Sequence, residues 1–140
     1  MSDPQAIAEG LKERLATIPD FEHRAYAEEP DIVDPPMAFV LGPNGVEDLA
    51  FGCDAAIYDY DVVVVVKVGN GVAQAQRDLR KYLDTKGDDS IQKAIYGDPT
   101  LGGRAQTAIV QGGVSVISQA NINDVPYLGA SRTVRVYSNG

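Results

Sequence analysis

Residues 55–68 restrict the fold most, because this segment contains no glycine or proline and is dense in β-branched residues. Such a run is typical of a β-strand, in which alternate side chains point to opposite faces. The even positions are apolar or aromatic throughout. The odd positions are Ile57, Asp59, Asp61, Val63, Val65 and Lys67. We therefore expect one face of the strand to be buried along its whole length and the other face only in its second half.

The predicted strand is also long for a chain of 140 residues. At roughly 3.3 Å per residue it spans about 45 Å, whereas a globule of this chain length is roughly 35–40 Å across. A valine-rich strand that lies unpaired is an aggregation hazard. The sequence therefore predicts either a bend that shortens the strand or another subunit that pairs with it.

The rest of the chain alternates between helical and extended patterns. Asp3 and Pro4 are typical of a helix start, and the apolar spacing after them predicts a helix that ends at Pro19. Two further helices are predicted at 72–83 and 91–96, and Ser90 is predicted to cap the second of them. Strands are predicted at 23–26, 37–41, 105–117 and 128–137, with turns at 42–45 and 119–124 and a bulge or bend at 112–113. This order predicts one α+β domain over residues 1–140, with a mostly antiparallel or mixed sheet and helices packed on one face.

The charge of the chain is concentrated in one window. The formal net charge is −8, and residues 20–61 hold eleven acids against one base, Arg24. Such a surface repels nucleic acid and anionic membranes instead of binding them, and its simplest interpretation is a solubilising face. No apolar run reaches the roughly 18 residues of a membrane span, and no secretory signal is visible at the N-terminus.

Few residues are suited to catalysis or metal binding. One cysteine, Cys53, and one histidine, His23, exclude an internal disulfide framework and zinc sites with several cysteine or histidine ligands. A His23–Cys53 nucleophile pair would need the fold to bring the two together. Asp59 and Asp61 are a candidate cation or acid–base pair, although a solvated acidic face explains them as well. Composition and spacing therefore predict no catalytic residue, no metal and no cofactor.

Six segments carry a resemblance that covers nearly the whole chain. They are LKERLATIP (11–19), DIVDPPMAFVLGP (31–43), YDYDVVVVV (58–66), LRKYLD (79–84), SIQKAIYGDPTLGG (90–103) and YLGASRTVRVY (127–137). In this order and spacing they resemble the tail terminator proteins of long-tailed, siphovirus-type bacteriophages, especially phages of actinobacteria. None of the segments is a catalytic signature.

The resemblance implies the fold of lambda-like tail terminators and a structural role without enzymatic activity. Tail terminators form a ring, typically a homohexamer, that caps the tail tube, ends its polymerisation and joins the tail to the head. The implied partners are further copies of the chain, the major tail (tube) protein and a head–tail connector or neck protein, with phage DNA as non-specific cargo in the lumen. The implied location is the virion, in the tail at the head–tail joint, after assembly in the cytoplasm of the bacterial host.

Two sets of candidate site residues follow from this hypothesis. Asp54, Asp59 and Asp61 are predicted to line the lumen of the ring. An interface with another subunit or with the tube is predicted at Val63, Val65, Leu101, Gly102 and Gly103. A bulky residue in place of Gly103 is expected to weaken ring formation while leaving the fold of the monomer intact.

Three other functions fit the same sequence. The first is another head–tail joining protein, such as a neck or tail-completion protein, or a tail tube subunit, which would stack without limit. The second is a small enzyme or ligand-binding domain that holds a cation with its acidic face. The third is a monomeric adaptor that binds one partner through the valine-rich strand.

Overall fold

A computed structural model describes residues 3–31, 35–48, 55–69, 71–122 and 125–139. The helices are α1 (Pro4–Leu15), α2 (Val72–Leu83) and α3 (Ile91–Tyr96), with a short 3-10 turn (Pro19–Phe21) after α1. The strands are β1 (Ala25–Tyr26), β2 (Met37–Asp48), β3 (Ala55–Lys67), β4 (Thr107–Ile122) and β5 (Val125–Asn139). They form one α+β domain, as the sequence predicts. None of the described helices is both long and apolar enough to cross a membrane.

The five strands form one sheet in the order β1-β2-β3-β5-β4. β1 is parallel to β2 and all other pairs are antiparallel, so the sheet is mixed. β3 pairs with β5 from Ala55 to Lys67 and with β2 from Ala56 to Val65. The long strand is confirmed. The predicted need for a bend or a second subunit is wrong, because strands of 12 and 15 residues within the chain cover both edges of β3.

β3 has the predicted difference between its two faces. Its even positions, from Ala56 to Val66, are buried in the main core together with side chains of all three helices. On the opposite face, Val63 is buried in a small second cluster with Met37 and Phe39. α1 packs over β2, α2 over β3 and β5, and α3 against β4. Within the described ranges the helices therefore lie on one face of the sheet, as predicted, and no helix covers the other.

Side chains fix the starts of two helices where the sequence predicts caps. The carboxylate of Asp3 accepts a hydrogen bond from the backbone N–H of Gln5 at 3.1 Å. The hydroxyl of Ser90 accepts one from the backbone N–H of Lys93 at 3.2 Å. Both bonds satisfy N–H groups that have no partner within their own helix.

Two predicted turns are instead parts of strands. Residues 42–45 do not end β2 but form a bulge of two extra residues between its pairs with Asp61 and Asp59. Within the bulge Gly42 has a φ of +116°, and the side-chain amide of Asn44 donates to the carboxylate of Asp61. Because the bulge keeps a partner on β3, the strand resumes after it.

β4 and β5 likewise run further than predicted. The predicted turn at 119–124 is mostly strand, and residues 123 and 124 lie outside the described ranges. The bulge predicted at 112–113 is confirmed, because the register between β4 and β5 shifts between Val110 and Val114.

Candidate functional site

The described residues contain no cluster of potential metal ligands. They contain no group of three or more histidine, cysteine, aspartate or glutamate side chains placed to hold an ion. The side chain of His23 is 88% exposed and lies 4.0 Å from Glu22. Cys53 lies outside the described ranges, so a His23–Cys53 pair stays an untested alternative.

An open groove of about 470 Å³ lies between the start of α1 and the β2 bulge. Three acids, Asp3, Glu28 and Glu29, stand on its rim, and all three are exposed. Its floor includes the buried side chains of Ala8 and Val40. The groove is therefore part of an acidic surface, in keeping with the charge pattern of the sequence.

The acids predicted to line a lumen are held by partners on neighbouring strands. The carboxylate of Asp59 accepts two hydrogen bonds from the guanidinium of Arg135, at 2.9 Å from Nε and 3.2 Å from Nη2. The bond with Asp59 raises the pKa of Arg135. Asp61 accepts a hydrogen bond from the hydroxyl of Thr133 at 3.1 Å. The charge of Asp59 is thus balanced within the chain. Asp54 lies outside the described ranges, and the lumen assignment of the three acids stays a prediction.

The five residues predicted to form an interface differ in accessibility. Val63 is 3% exposed and Leu101 is 1% exposed, so both side chains are buried inside their own chain. Val65 is partly buried against the same small cluster as Val63. Gly102 and Gly103 are exposed. Packing within the chain already accounts for the apolar side chains of this set, and their role in an interface stays a prediction.

The loop that contains Leu101 is fixed by its own hydrogen bonds. Asp98 accepts hydrogen bonds from the hydroxyl of Thr100 and from the backbone N–H of Gly102, and these bonds lower its pKa. Leu101, Gly102 and Gly103 all have positive φ, at 55°, 72° and 88°. Any side chain at Gly103 would strain the backbone. A bulky residue there therefore lowers the stability of the monomer by roughly 1–2 kcal/mol, and the expectation that the monomer keeps its fold stays a prediction.

The outer edge of β4 is the surface with the strongest case for a partner. In the described sheet β4 pairs with β5 alone, and its 16 residues include no charge and no proline. Charges, prolines, short length and β-bulges are the usual protection of an edge strand. Of these, β4 has only its bulges, between Val110 and Val114 and between Ile117 and Ala120. Ile109 of β4, 41% exposed, and Tyr96, 42% exposed, are two of the three large apolar side chains exposed in the described ranges. Tyr96 also contacts this edge through its hydroxyl.

The opposite edge of the sheet, formed by β1 and β2, contains charged residues and a proline. β1 covers β2 at Ala38 and Phe39, and the described strands leave the rest of β2 without a second neighbour. That stretch contains Pro43, Glu47 and Asp48, which are residue types that protect an edge. The sheet therefore ends in two unlike edges, and the edge on β4 is the one without charges or prolines.

A buried arginine connects β4 with two helices. Arg132 of β5 is 5% exposed. Its guanidinium donates to the backbone oxygen of Leu83 at 3.3 Å, to the side-chain oxygen of Gln92 at 3.2 Å and to the backbone oxygen of Gln111 at 2.6 Å. Its Nε has no partner within the described ranges. These bonds fix the β4 bulge, where Gln111 lies, relative to the end of α2 and to α3.

A second polar contact joins α2 to the turn that follows α1. The hydroxyl of Tyr82, a residue 2% exposed, donates to the carboxylate of Asp20 at 2.7 Å. The ammonium of Lys81 lies 3.2 Å from the same carboxylate oxygen. The hydrogen bond from Tyr82 lowers the pKa of Asp20, and burial raises the pKa of Tyr82. The contact therefore favours an ionised Asp20 beside a neutral Tyr82.

Replacing Asp20 by alanine is expected to lower the free energy of unfolding by about 1–3 kcal/mol, because the buried Tyr82 hydroxyl would lose its charged acceptor. Since folding lowers the pKa of Asp20, its contribution is complete above the pKa of an unfolded aspartate, about 3.9. It is lost as the pH falls through the lower folded value. Urea unfolding at neutral and at acidic pH measures both effects. An equal cost of D20A in wild-type and Y82F backgrounds would contradict the contact.

No protein-family model matches the chain, and no curated protein matches it significantly. What the chain does must therefore be argued from its own residues. Among the described surfaces, the uncharged edge of β4 is the one with the properties of a binding site for a further strand.

Proposed function

We propose that this chain is a structural protein that assembles with copies of itself into a ring, and that the ring ends the tail tube of a long-tailed bacteriophage. The observation that carries the proposal is the outer edge of β4, which is 16 residues long, uncharged and paired on one side only within the described sheet. No catalytic residue, metal or cofactor has a part in this function.

The exposure of that edge supports self-association. An edge strand presents unpaired N–H and C=O groups, and a long edge without charges tends to aggregate unless another strand covers it. The chain carries a net charge of −8, but none of its charged residues lies on β4. A second copy can therefore approach this edge without like-charge repulsion from the strand itself.

The difference between the two edges of the sheet supports assembly into a ring. If β4 of one copy pairs with an unlike surface of the next, the contact is head-to-tail, and repeated contacts of this kind close into a ring or continue as a filament. The part of β2 beyond β1 is such an unlike edge. This stretch of the sequence contains the acids Glu47 and Asp48, whereas β4 contains no charged residue, so pairing the two strands sets no like charges against each other.

The place in a phage tail is supported by the segments that resemble tail terminators, among them YDYDVVVVV in β3 and SIQKAIYGDPTLGG around α3. In this role the ring caps the tube of the major tail protein, stops its growth and offers its other face to a neck or connector protein. An acidic ring also suits a channel through which DNA slides without binding. Because Arg135 balances Asp59, Asp61 would supply more of the negative charge at that part of the wall.

Light scattering of the purified chain, with negative-stain images of the peak, tests the proposal. We expect a mass of about six subunits and ring-shaped particles, or a monomer that forms one ring at the tip of each tail tube. Adding the chain to polymerising tube protein is expected to shorten the tubes. Stacking without limit would identify a tube subunit instead, and a monomer that neither forms rings nor caps tubes would contradict the proposal.

A further inference from the structure

One hydrogen bond closes part of the β4 edge. The backbone N–H of Val110 donates to the hydroxyl of Tyr96 at 3.0 Å. Tyr96 is the last residue of α3 and is 42% exposed. Because a backbone N–H carries a single hydrogen, an added strand cannot use this donor while Tyr96 holds it.

The bulge separates this closed part of β4 from the remainder. Directly after Val110 the register with β5 shifts by two residues, and pairing resumes at Val114. Arg132 holds a carbonyl oxygen of the bulge at 2.6 Å, so the shift has a fixed position. The closed part of the edge is therefore residues 107–110, and the open part is residues 114–122.

We infer that Tyr96 is a positioning residue for assembly: its hydroxyl stops an added strand before Val110, so that the strand of a second copy pairs with residues 114–122. The inference rests on the proposed self-assembly through β4 and names the part of the edge that takes part. Nine residues at roughly 3.3 Å each give a contact about 30 Å long.

The open part is itself interrupted, because the register with β5 shifts by one more residue between Ile117 and Ala120. A fixed end point still matters, because no charge on the strand selects one register. An uncharged strand allows several registers, and a slip of one residue turns every side chain to the opposite face of the sheet. A ring closes only if every contact repeats the same rotation between neighbours. A stop at Val110 removes the registers in which the added strand runs on toward Thr107.

Amide hydrogen exchange of the wild-type and Tyr96→Phe proteins, as monomers and as assemblies, tests the inference. Phenylalanine keeps the aromatic ring and removes the hydroxyl alone. In the monomer, we expect the Val110 amide to exchange about tenfold faster in Y96F than in the wild type. In the assembly, newly protected amides should lie within residues 114–122 in the wild type and extend to Val110 and Ala108 in Y96F.

Tyr26→Phe is the matched control. Tyr26 is partly buried, and its hydroxyl forms no hydrogen bond within the described part of the chain. Y26F therefore removes a tyrosine hydroxyl without touching β4, and it should give the wild-type pattern of exchange in both states.

Failure of the inference and failure of the proposed function are distinguishable. If Y96F assembles with the wild-type pattern of protection, Tyr96 does not stop the strand, and the proposed ring is unaffected. Protection of the Ala108 amide that appears only on assembly of the wild type would likewise overturn the inference alone. If neither protein assembles, in solution or on tail tubes, the proposed function is wrong and the inference fails with it.

Discussion

A lysine on the open part of β4, introduced as Ser115→Lys, is expected to keep the protein monomeric at concentrations at which the wild type forms rings. The backbone register places residue 115 opposite Ser131 of β5, within the stretch proposed to take a second copy. Natural edge strands often carry lysine, because its hydrated ammonium group prevents another strand from pairing with them. Burying that group without a partner costs at least about 2 kcal/mol, which corresponds to a roughly 30-fold loss of affinity at each contact.

Val72→Lys is the matched control for this variant. Val72 is 42% exposed and lies on α2, which packs on β3 and β5, so V72K adds the same charge at a distance from the β4 edge. We expect V72K to assemble like the wild type. Both variants should keep a free energy of unfolding within about 1 kcal/mol of the wild type. Light scattering over a range of concentrations measures assembly, and rings of S115K at wild-type concentrations would exclude β4 as the contact surface.

The second large effect is expected for Arg132→Met, which should lower the free energy of unfolding by about 3 kcal/mol and the Tm by roughly 10 °C. Methionine replaces much of the apolar stem of arginine, so the loss reports the polar contacts more than a cavity. The three acceptors of Arg132 would lose a charged donor, and such bonds contribute about 1.5–3 kcal/mol each. Arg132 forms no ion pair in the described part of the chain, so its charge is buried without a counter-charge. The desolvation cost of this charge offsets part of the free energy that the three hydrogen bonds contribute.

Arg135→Met, on the same strand, is the comparison for R132M. The side chain of Arg135 is 40% exposed and lies in an ion pair with Asp59 on the opposite face of the sheet. Removing a pair of this kind typically costs about 1 kcal/mol or less. Urea unfolding measures the loss of stability in R132M and in R135M, and we expect the larger loss in R132M. If R132M is as stable as the wild type, the desolvation of the guanidinium outweighs its three hydrogen bonds, and the predicted role of the arginine is wrong.

The helices and the central strand could be predicted because their signals are local. Asp3 and Ser90 each accept a hydrogen bond from an N–H two or three residues further on, so a short stretch of sequence contains both partners. The alternation along β3 is local in the same sense, since two-residue periodicity alone separates its faces. These parts of the fold needed no knowledge of the other strands.

Strand ends and strand neighbours could not be predicted, because they depend on residues far apart in the sequence. β2 continues past Gly42 because Asn44 meets Asp61 on β3, 17 residues away. The charge of Asp59 is balanced by Arg135, 76 residues away. The order of the strands, and not the residues of β4, decides that β4 lies at an edge. Its charge-free sequence therefore indicated a binding surface only once its place in the sheet was known.

The position of β5 between β3 and β4 has a consequence for synthesis on the ribosome. About 60 residues separate the end of β3 from the start of β5, which takes roughly 3–12 s to translate. Until β5 emerges, the valine run of β3 has one edge without its native partner, and pairing between such distant segments is intrinsically slow. Nascent chains exposed in this way are prone to aggregate. The yield of folded protein should therefore depend on how well chaperones shield residues 62–66 during those seconds, more than on the stability of the finished sheet.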